Sequence, residues 1–112
     1  MSRRASLSSH VLDVQRGRPA AGLAVTLYGA AATPLARGVT DDDGRIGSWD
    51  PAPSLPPGDY RLLFATGDWF AARGEETFYP EVSVAFHVRA GGEHYHVPLL
   101  LAAWGYSTYR GS

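Results

Sequence analysis

Apolar positions along the chain recur mostly with period two, in short blocks divided by glycine, proline and aspartate. That spacing puts alternate side chains on one buried face of a strand, so the pattern predicts an all-β sandwich or barrel. Leu7 to Val14 reads as a first strand, and Gly17-Arg18-Pro19-Ala20 turns the chain into Gly22 to Tyr28, where Leu23, Val25 and Leu27 share a face. Leu35 to Thr40 continues the meander. Asp41-Asp42-Asp43-Gly44 reads as a turn, because short acidic side chains bond nearby backbone N–H groups and glycine accepts a positive φ. The proline-rich stretch Pro51 to Gly58 cannot sustain a ladder, since proline lacks the N–H donor, and is predicted as a stiff surface loop. Tyr60, Leu62 and Phe64 alternate through the next strand. Gly67 to Gly74 then has an acidic first turn, a helix-tolerant middle and a glycine stop, which predicts one helix of about two turns. Val82, Val84, Phe86 and Val88 form a further period-two face. After the turn Ala90-Gly91-Gly92-Glu93, His94 to Ala103 runs through Trp104-Gly105 into a terminal strand, Gly105 to Tyr109.

Composition narrows the function classes. A length of 112 residues suits a single domain over 1–112, with residues 1–6 expected as a flexible lead-in. Net charge is −1 and the arginines are scattered from Arg3 to Arg110, so the basic stripe of a nucleic-acid binder is missing. The chain has no lysine, which excludes a Schiff-base mechanism, and no cysteine, which removes disulfides, thiolate zinc sites and cysteine nucleophiles together. No apolar run is long enough to span a membrane and no export signal is read at the start, so the expectation is a soluble, cytoplasmic protein.

The candidate chemistry lies in histidine, arginine and the tail. His94 and His96 are two apart and therefore point to one face of a strand. Three readings of the pair stay open: an acid/base or binding pair, a satisfied polar edge, or part of a zinc site whose third ligand would be His10, His87 or an aspartate. His10, on an otherwise apolar strand, reads by itself as a hydrogen-bonded sheet residue. Arg45 directly follows the acidic turn and either screens it from solvent or clamps an anion. The closing Tyr109-Arg110-Gly111-Ser112 combines an aromatic, a fixed cation, a glycine and a hydroxyl, and reads either as a wall of a cleft or as an edge strand with an incidental end. Aligning Gly44 with the invariant glycine of a calcium loop puts Val39 at the first ligand position and Asp50 at the bidentate one, so that comparison fails. A nucleophile elbow and a phosphate-cradling loop are both missing.

Taken together, several segments resemble the 5-hydroxyisourate hydrolases, also called transthyretin-related proteins. They are Ser9-His10-Val11-Leu12-Asp13 with Pro19-Ala20, Thr40-Asp41-Asp42-Asp43-Gly44-Arg45, Phe78-Tyr79-Pro80-Glu81-Val82, His94-Tyr95-His96-Val97-Pro98-Leu99 and Tyr106 to Ser112. The likeness covers nearly the whole chain, and the terminal Tyr-Arg-Gly-Ser separates these enzymes from transthyretin, the hormone carrier of the same fold. It implies a transthyretin-like two-sheet β-sandwich of about seven or eight strands with one short helix, forming a homotetramer with active sites between dimers. The implied activity is hydrolysis of 5-hydroxyisourate in urate (purine) degradation, without cofactor or metal. The implied catalytic set is His10, Arg45 and His96; Tyr109 and Ser112 join His10 and Arg45 in binding substrate, with His94 and Arg110 as supporting residues. The other implication of the fold is a transthyretin-like carrier that binds a small aromatic ligand without turnover. The sequence departs from the family at Ala102-Ala103-Trp104, where a serine-proline turn is usual, which bears on how the tail enters the cleft.

Overall fold

The computed structural model describes residues 4–112. Nine strands and one helix follow in the order β1 Ser6–Asp13, β2 Arg18–Pro19, β3 Ala24–Tyr28, β4 Pro34–Val39, β5 Arg45–Ile46, β6 Gly58–Phe64, α1 Thr66–Ala71, β7 Val82–Val88, β8 His94–Ala102 and β9 Gly105–Thr108. They form two sheets, one ordered β2-β1-β8-β9 with β5 also paired to β1, the other ordered β4-β3-β6-β7. The all-β sandwich with one short helix is therefore observed. The two strands beyond the familiar count, β2 and β5, are two residues each and too short to leave a periodic signal.

Alternation does the folding. In β1 the residues Leu7, Ser9, Val11 and Asp13 are buried, while Ser6, Ser8, His10 and Leu12 lie on the outer face. In β6 the buried set is Tyr60, Leu62 and Phe64, and across the sandwich Leu99 and Leu101 of β8 are fully buried. Each such apolar side chain contributes roughly 1.5–3 kcal/mol on leaving water. Polar groups caught inside are satisfied: Ser9 Oγ donates to the Val97 carbonyl at 2.7 Å, and Thr40 Oγ1 donates to the Ala20 carbonyl while accepting from the Leu23 amide. The predicted apolar face of β7 is only half realised. Val82 and Val88 are buried, but Val84 and Phe86 are half-buried, because β7 is the edge of its sheet.

Three local expectations shift. Leu55, placed in a surface loop, is buried and its carbonyl accepts from the Ala5 amide. Ala5 is likewise buried and Ser6 opens β1, so the far end of the expected lead-in belongs to the sheet; residues 1–3 lie outside the described residues. The third shift is topological. β1 runs parallel to β8 over its whole length, from Ser6 opposite His94 to Asp13 opposite Leu101, a pairing between opposite ends of the chain.

Candidate active site

The outer face of the β1–β8 pair collects the predicted groups. Parallel register sets Ser6 opposite His94 and Ser8 opposite His96, and on the other flank of β1 the short β5 sets Arg45 opposite His10. The acidic turn makes that flank possible. Gly44 has φ 76°, and a Cβ there would stand 2.4 Å from the Val11 carbonyl oxygen, so only glycine lets the turn press against β1. The Val11 amide then donates to the Gly44 carbonyl at 2.7 Å, which fixes Arg45 beside His10.

The acidic turn leaves Arg45 free. Asp41 Oδ1 accepts the backbone amides of Asp43 and Arg45, each at 2.9 Å, so this carboxylate is engaged by its own turn. Among the described residues the Arg45 guanidinium forms no ion pair. A screening role for Arg45 thus has no contact behind it, and the cation is open to an anionic ligand. His10 Nε2 lies 2.8 Å from the Asp43 carbonyl, which can only accept. The proton of neutral His10 therefore sits on Nε2 and its lone pair on Nδ1.

His96 is held from two sides. Ser8 Oγ lies 2.8 Å from its Nδ1, and the tail amide of Gly111 donates to its backbone carbonyl at 2.8 Å. A Cβ on Gly111 would fall 2.4 Å from His96 Cδ2, so glycine is what lets the tail pass over the ring. Burial first, and then the nearby cations and imidazoles of His10, Arg45 and His94, lower the His96 pKa below its usual 6.5. A neutral base at pH 7 results. A hollow of about 300 Å³ opens here, lined by Ser8, Arg45, Gly47, His94, His96 and Ser112 among others. His10 stands across the strand pair from Arg45, outside that lining.

Comparison with known proteins places the chain. The model of the HIUase/Transthyretin family matches residues 7–111. The chain belongs to this family. It is 50% identical over 109 residues to a 5-hydroxyisourate hydrolase of Salmonella typhimurium, an alignment covering 95% of this chain and 80% of the relative. The solved 5-hydroxyisourate hydrolase of Klebsiella pneumoniae superposes with a TM-score of 0.87 at 42% identity, covering 96% of this chain and all of that one. Transthyretin from Sparus aurata superposes almost as well, with a TM-score of 0.85 at 30% identity over 96% of this chain and 97% of that one. Fold similarity alone does not separate hydrolase from carrier.

The tail of this chain divides its groups between two places. β9 pairs with β8 from Ala102–Gly105 to Leu99–Thr108, and the bridge His96–Gly111 keeps the same register further along. Pro98 offers no amide, but its carbonyl accepts from Thr108 Oγ1 at 2.7 Å. Ser112 thus reaches the histidine hollow, whereas Tyr109 lines a second hollow of about 400 Å³ with Val84, Phe86, Tyr95 and Val97. Arg110 ties the tail down: its guanidinium is 3.5 Å from the His94 carbonyl, 3.6 Å from the Glu93 carboxylate and 4.6 Å over the Tyr95 ring. Trp104 is exposed beside Phe78 with ring centroids 6.3 Å apart, and the β8–β9 register runs through its turn undisturbed.

His87, the other candidate third zinc ligand, lies on β7 in the opposite sheet, 2.6 Å from Asp59. Both ring nitrogens of His94 are engaged by serines, at 2.6 Å from Ser6 Oγ and 2.8 Å from Ser8 Oγ. Among the described residues no group of three or more His, Asp or Glu is set to hold a metal ion. The serines are the functional candidates that sequence reasoning passed over. Their signal was available, since Ser6, Ser8 and His10 alternate with Leu7, Ser9 and Val11 and so share the polar face of one strand.

Proposed function

We propose that this chain hydrolyses 5-hydroxyisourate to 2-oxo-4-hydroxy-4-carboxy-5-ureidoimidazoline, a step of urate degradation, without a metal or organic cofactor. The observation that carries the reading is one hollow holding an ion-pair-free Arg45, Ser112 and a His96 ring whose Nε2 faces no hydrogen-bond partner among the described residues. A set of relatives named 5-hydroxyisourate hydrolase supports it.

Water held by His10 and His96 attacks the ring carbonyl carbon and gives up a proton to imidazole. Arg45 stabilises the oxyanion. When the intermediate collapses, the acyl C–N bond breaks, the imidazole nitrogen that took the proton returns it to the departing nitrogen, and the new carboxylate stays beside the guanidinium. An always-charged guanidinium suits both anions. Acid/base assistance supplies about a hundredfold to ten-thousandfold and one oxyanion donor about 2.7–4 kcal/mol. That is sufficient for a substrate that already decays in water. Ser112 contributes its hydroxyl, and Tyr109 meets substrate across a homotetramer whose sites lie between dimers. No helix among the described residues is long and apolar enough to cross a membrane.

The test is to generate 5-hydroxyisourate in the cuvette with urate oxidase and follow its ultraviolet decay with and without chelator-treated protein. Faster decay, lost on removing Tyr109 to Ser112, is expected. Decay no faster than buffer, with tight binding of a small aromatic ligand, would leave a transthyretin-like carrier instead; activity lost to the chelator would move the chemistry to a metal.

A further inference from the structure

Ser8 Oγ touches two imidazoles at once, His96 Nδ1 and His94 Nε2, both at 2.8 Å, and His94 Nδ1 in turn lies 2.6 Å from Ser6 Oγ. A hydroxyl carries one proton, so Ser8 donates to one ring and accepts from the other. That single constraint orders the whole row. If His96 is to keep Nε2 bare as a base, its proton sits on Nδ1 and is donated to Ser8; Ser8 donates to His94 Nε2, and His94 Nδ1–H donates to Ser6. Both Ser6 and His94 are exposed, so the far end of the row meets bulk water.

We infer that Ser8, His94 and Ser6 form a proton relay that couples the catalytic nitrogen of His96 to solvent, an inference that rests on the hydrolase reading above. In the base step His96 Nε2 takes a proton from water. The Nδ1 proton passes to Ser8, the Ser8 proton to His94 Nε2, the His94 Nδ1 proton to Ser6, and the Ser6 hydroxyl proton to bulk water. One proton enters and one leaves. The row is then reversed, with His96 neutral and protonated on Nε2, ready to serve the departing nitrogen. Delivering that proton while Ser6 takes one from solvent restores the starting order. The cycle lets His96 act as base and then as acid without remaining an imidazolium beside Arg45. The charged and titratable groups around the ring are His94 on its own strand, His10 on β1 and Arg45 on β5. Ser8 and Ser6 are positioning and relay residues in this scheme, since neither need touch substrate.

Two measurements test it. In resting protein, nitrogen-15 NMR of the imidazoles should show His96 protonated on Nδ1 and His94 on Nδ1, with both assignments lost or mixed in Ser8→Ala. A wild-type His96 protonated on Nε2, or His94 indifferent to Ser8, would overturn the relay whatever the activity. In turnover, Ser8→Ala should lower kcat by about tenfold to a hundredfold, within what acid/base assistance supplies, with little change in KM. Ser8→Thr, which keeps the hydroxyl, should recover most of the loss. His94→Gln keeps a hydrogen-bonding partner for Ser8 but cannot pass a proton on. It should lose as much as Ser8→Ala and give a straight-line dependence of kcat on deuterium fraction, where the wild type, moving several protons, is expected to give a curve. A His94→Gln variant as fast as wild type would reduce the row to a fixed support for His96 and end the relay. Absence of hydrolysis in wild type together with the coupled tautomers would count against the proposed reaction and leave the ordered row standing.

Discussion

Along β8, Tyr95, Val97, Leu99 and Leu101 turn into the sandwich, while His94, His96 and Leu100 stay on the outer face. The two sets share one backbone and differ by one step of strand alternation. The inner set is held by packing and makes the sheet's position certain; the outer set has no packing duty and is free to carry imidazoles, hydroxyls and a half-open hollow. Chemistry here is located by the fold without being needed for it, and a slip of register by one residue would exchange the two roles.

Truncation on each face should break different properties. Leu99 is fully buried, so Leu99→Ala is expected to cost about 2–5 kcal/mol of stability while activity per folded molecule stays near wild type. Denaturant melts and initial rates on the same samples check this. On the outer face, Arg45→Ala should lower kcat by about a hundredfold to a thousandfold, the equivalent of about 2.7–4 kcal/mol of barrier, with an unchanged melting midpoint, because the side chain is exposed and has no ion pair to lose. Equal melting losses in both variants would mean the two faces are not separable.

The same contrast explains what was legible in the sequence. The inner face announces itself by alternation: Leu23, Val25 and Leu27, then Tyr60, Leu62 and Phe64, mark strands and core directly. The helix was also readable, since the predicted stretch Gly67 to Gly74, with acidic Asp68 in its first turn, overlaps the observed Thr66–Ala71. The juxtapositions were not. His10 meets Arg45 through a two-residue strand too short for any period, and Ser8 meets His96 through a parallel pairing across 88 residues, information that no local window holds. Family resemblance named His10, Arg45 and His96 without saying which nitrogen of either ring is free. That follows only from the carbonyl at His10 Nε2 and the serine at His96 Nδ1.

A finer cut concerns the tail. Gly111→Ala would set a methyl 2.4 Å from His96 Cδ2, so either the ring turns or the tail lifts Ser112 out of the hollow. Misplacement on that scale is expected to lower kcat/KM by about tenfold to a hundredfold, with little loss of stability. Gly105→Ala is the control, since a Cβ there meets nothing within 4 Å. If the Gly111 variant works as well as the control, the tail's path over His96 is irrelevant to turnover.

The smallest effect is a shift in pH dependence. Burial is the first cause of the lowered His96 pKa, with His10, Arg45 and His94 adding repulsion. A base must be neutral to accept a proton, so the acid limb of kcat/KM should fall below pH 6.5 and follow the His96 titration observed by NMR. The sign for stability is the same. The unfolded chain takes up a proton at His96 near pH 6.5 and the folded chain only at lower pH, so this residue favours unfolding increasingly as pH drops through that window. Arg45→Ala removes one repelling charge and should raise the His96 pKa, but by less than the full depression, because burial remains. A titration returning all the way to the ordinary value in Arg45→Ala would make the guanidinium, and not the pocket between β1, β8 and the tail, the main determinant of the base.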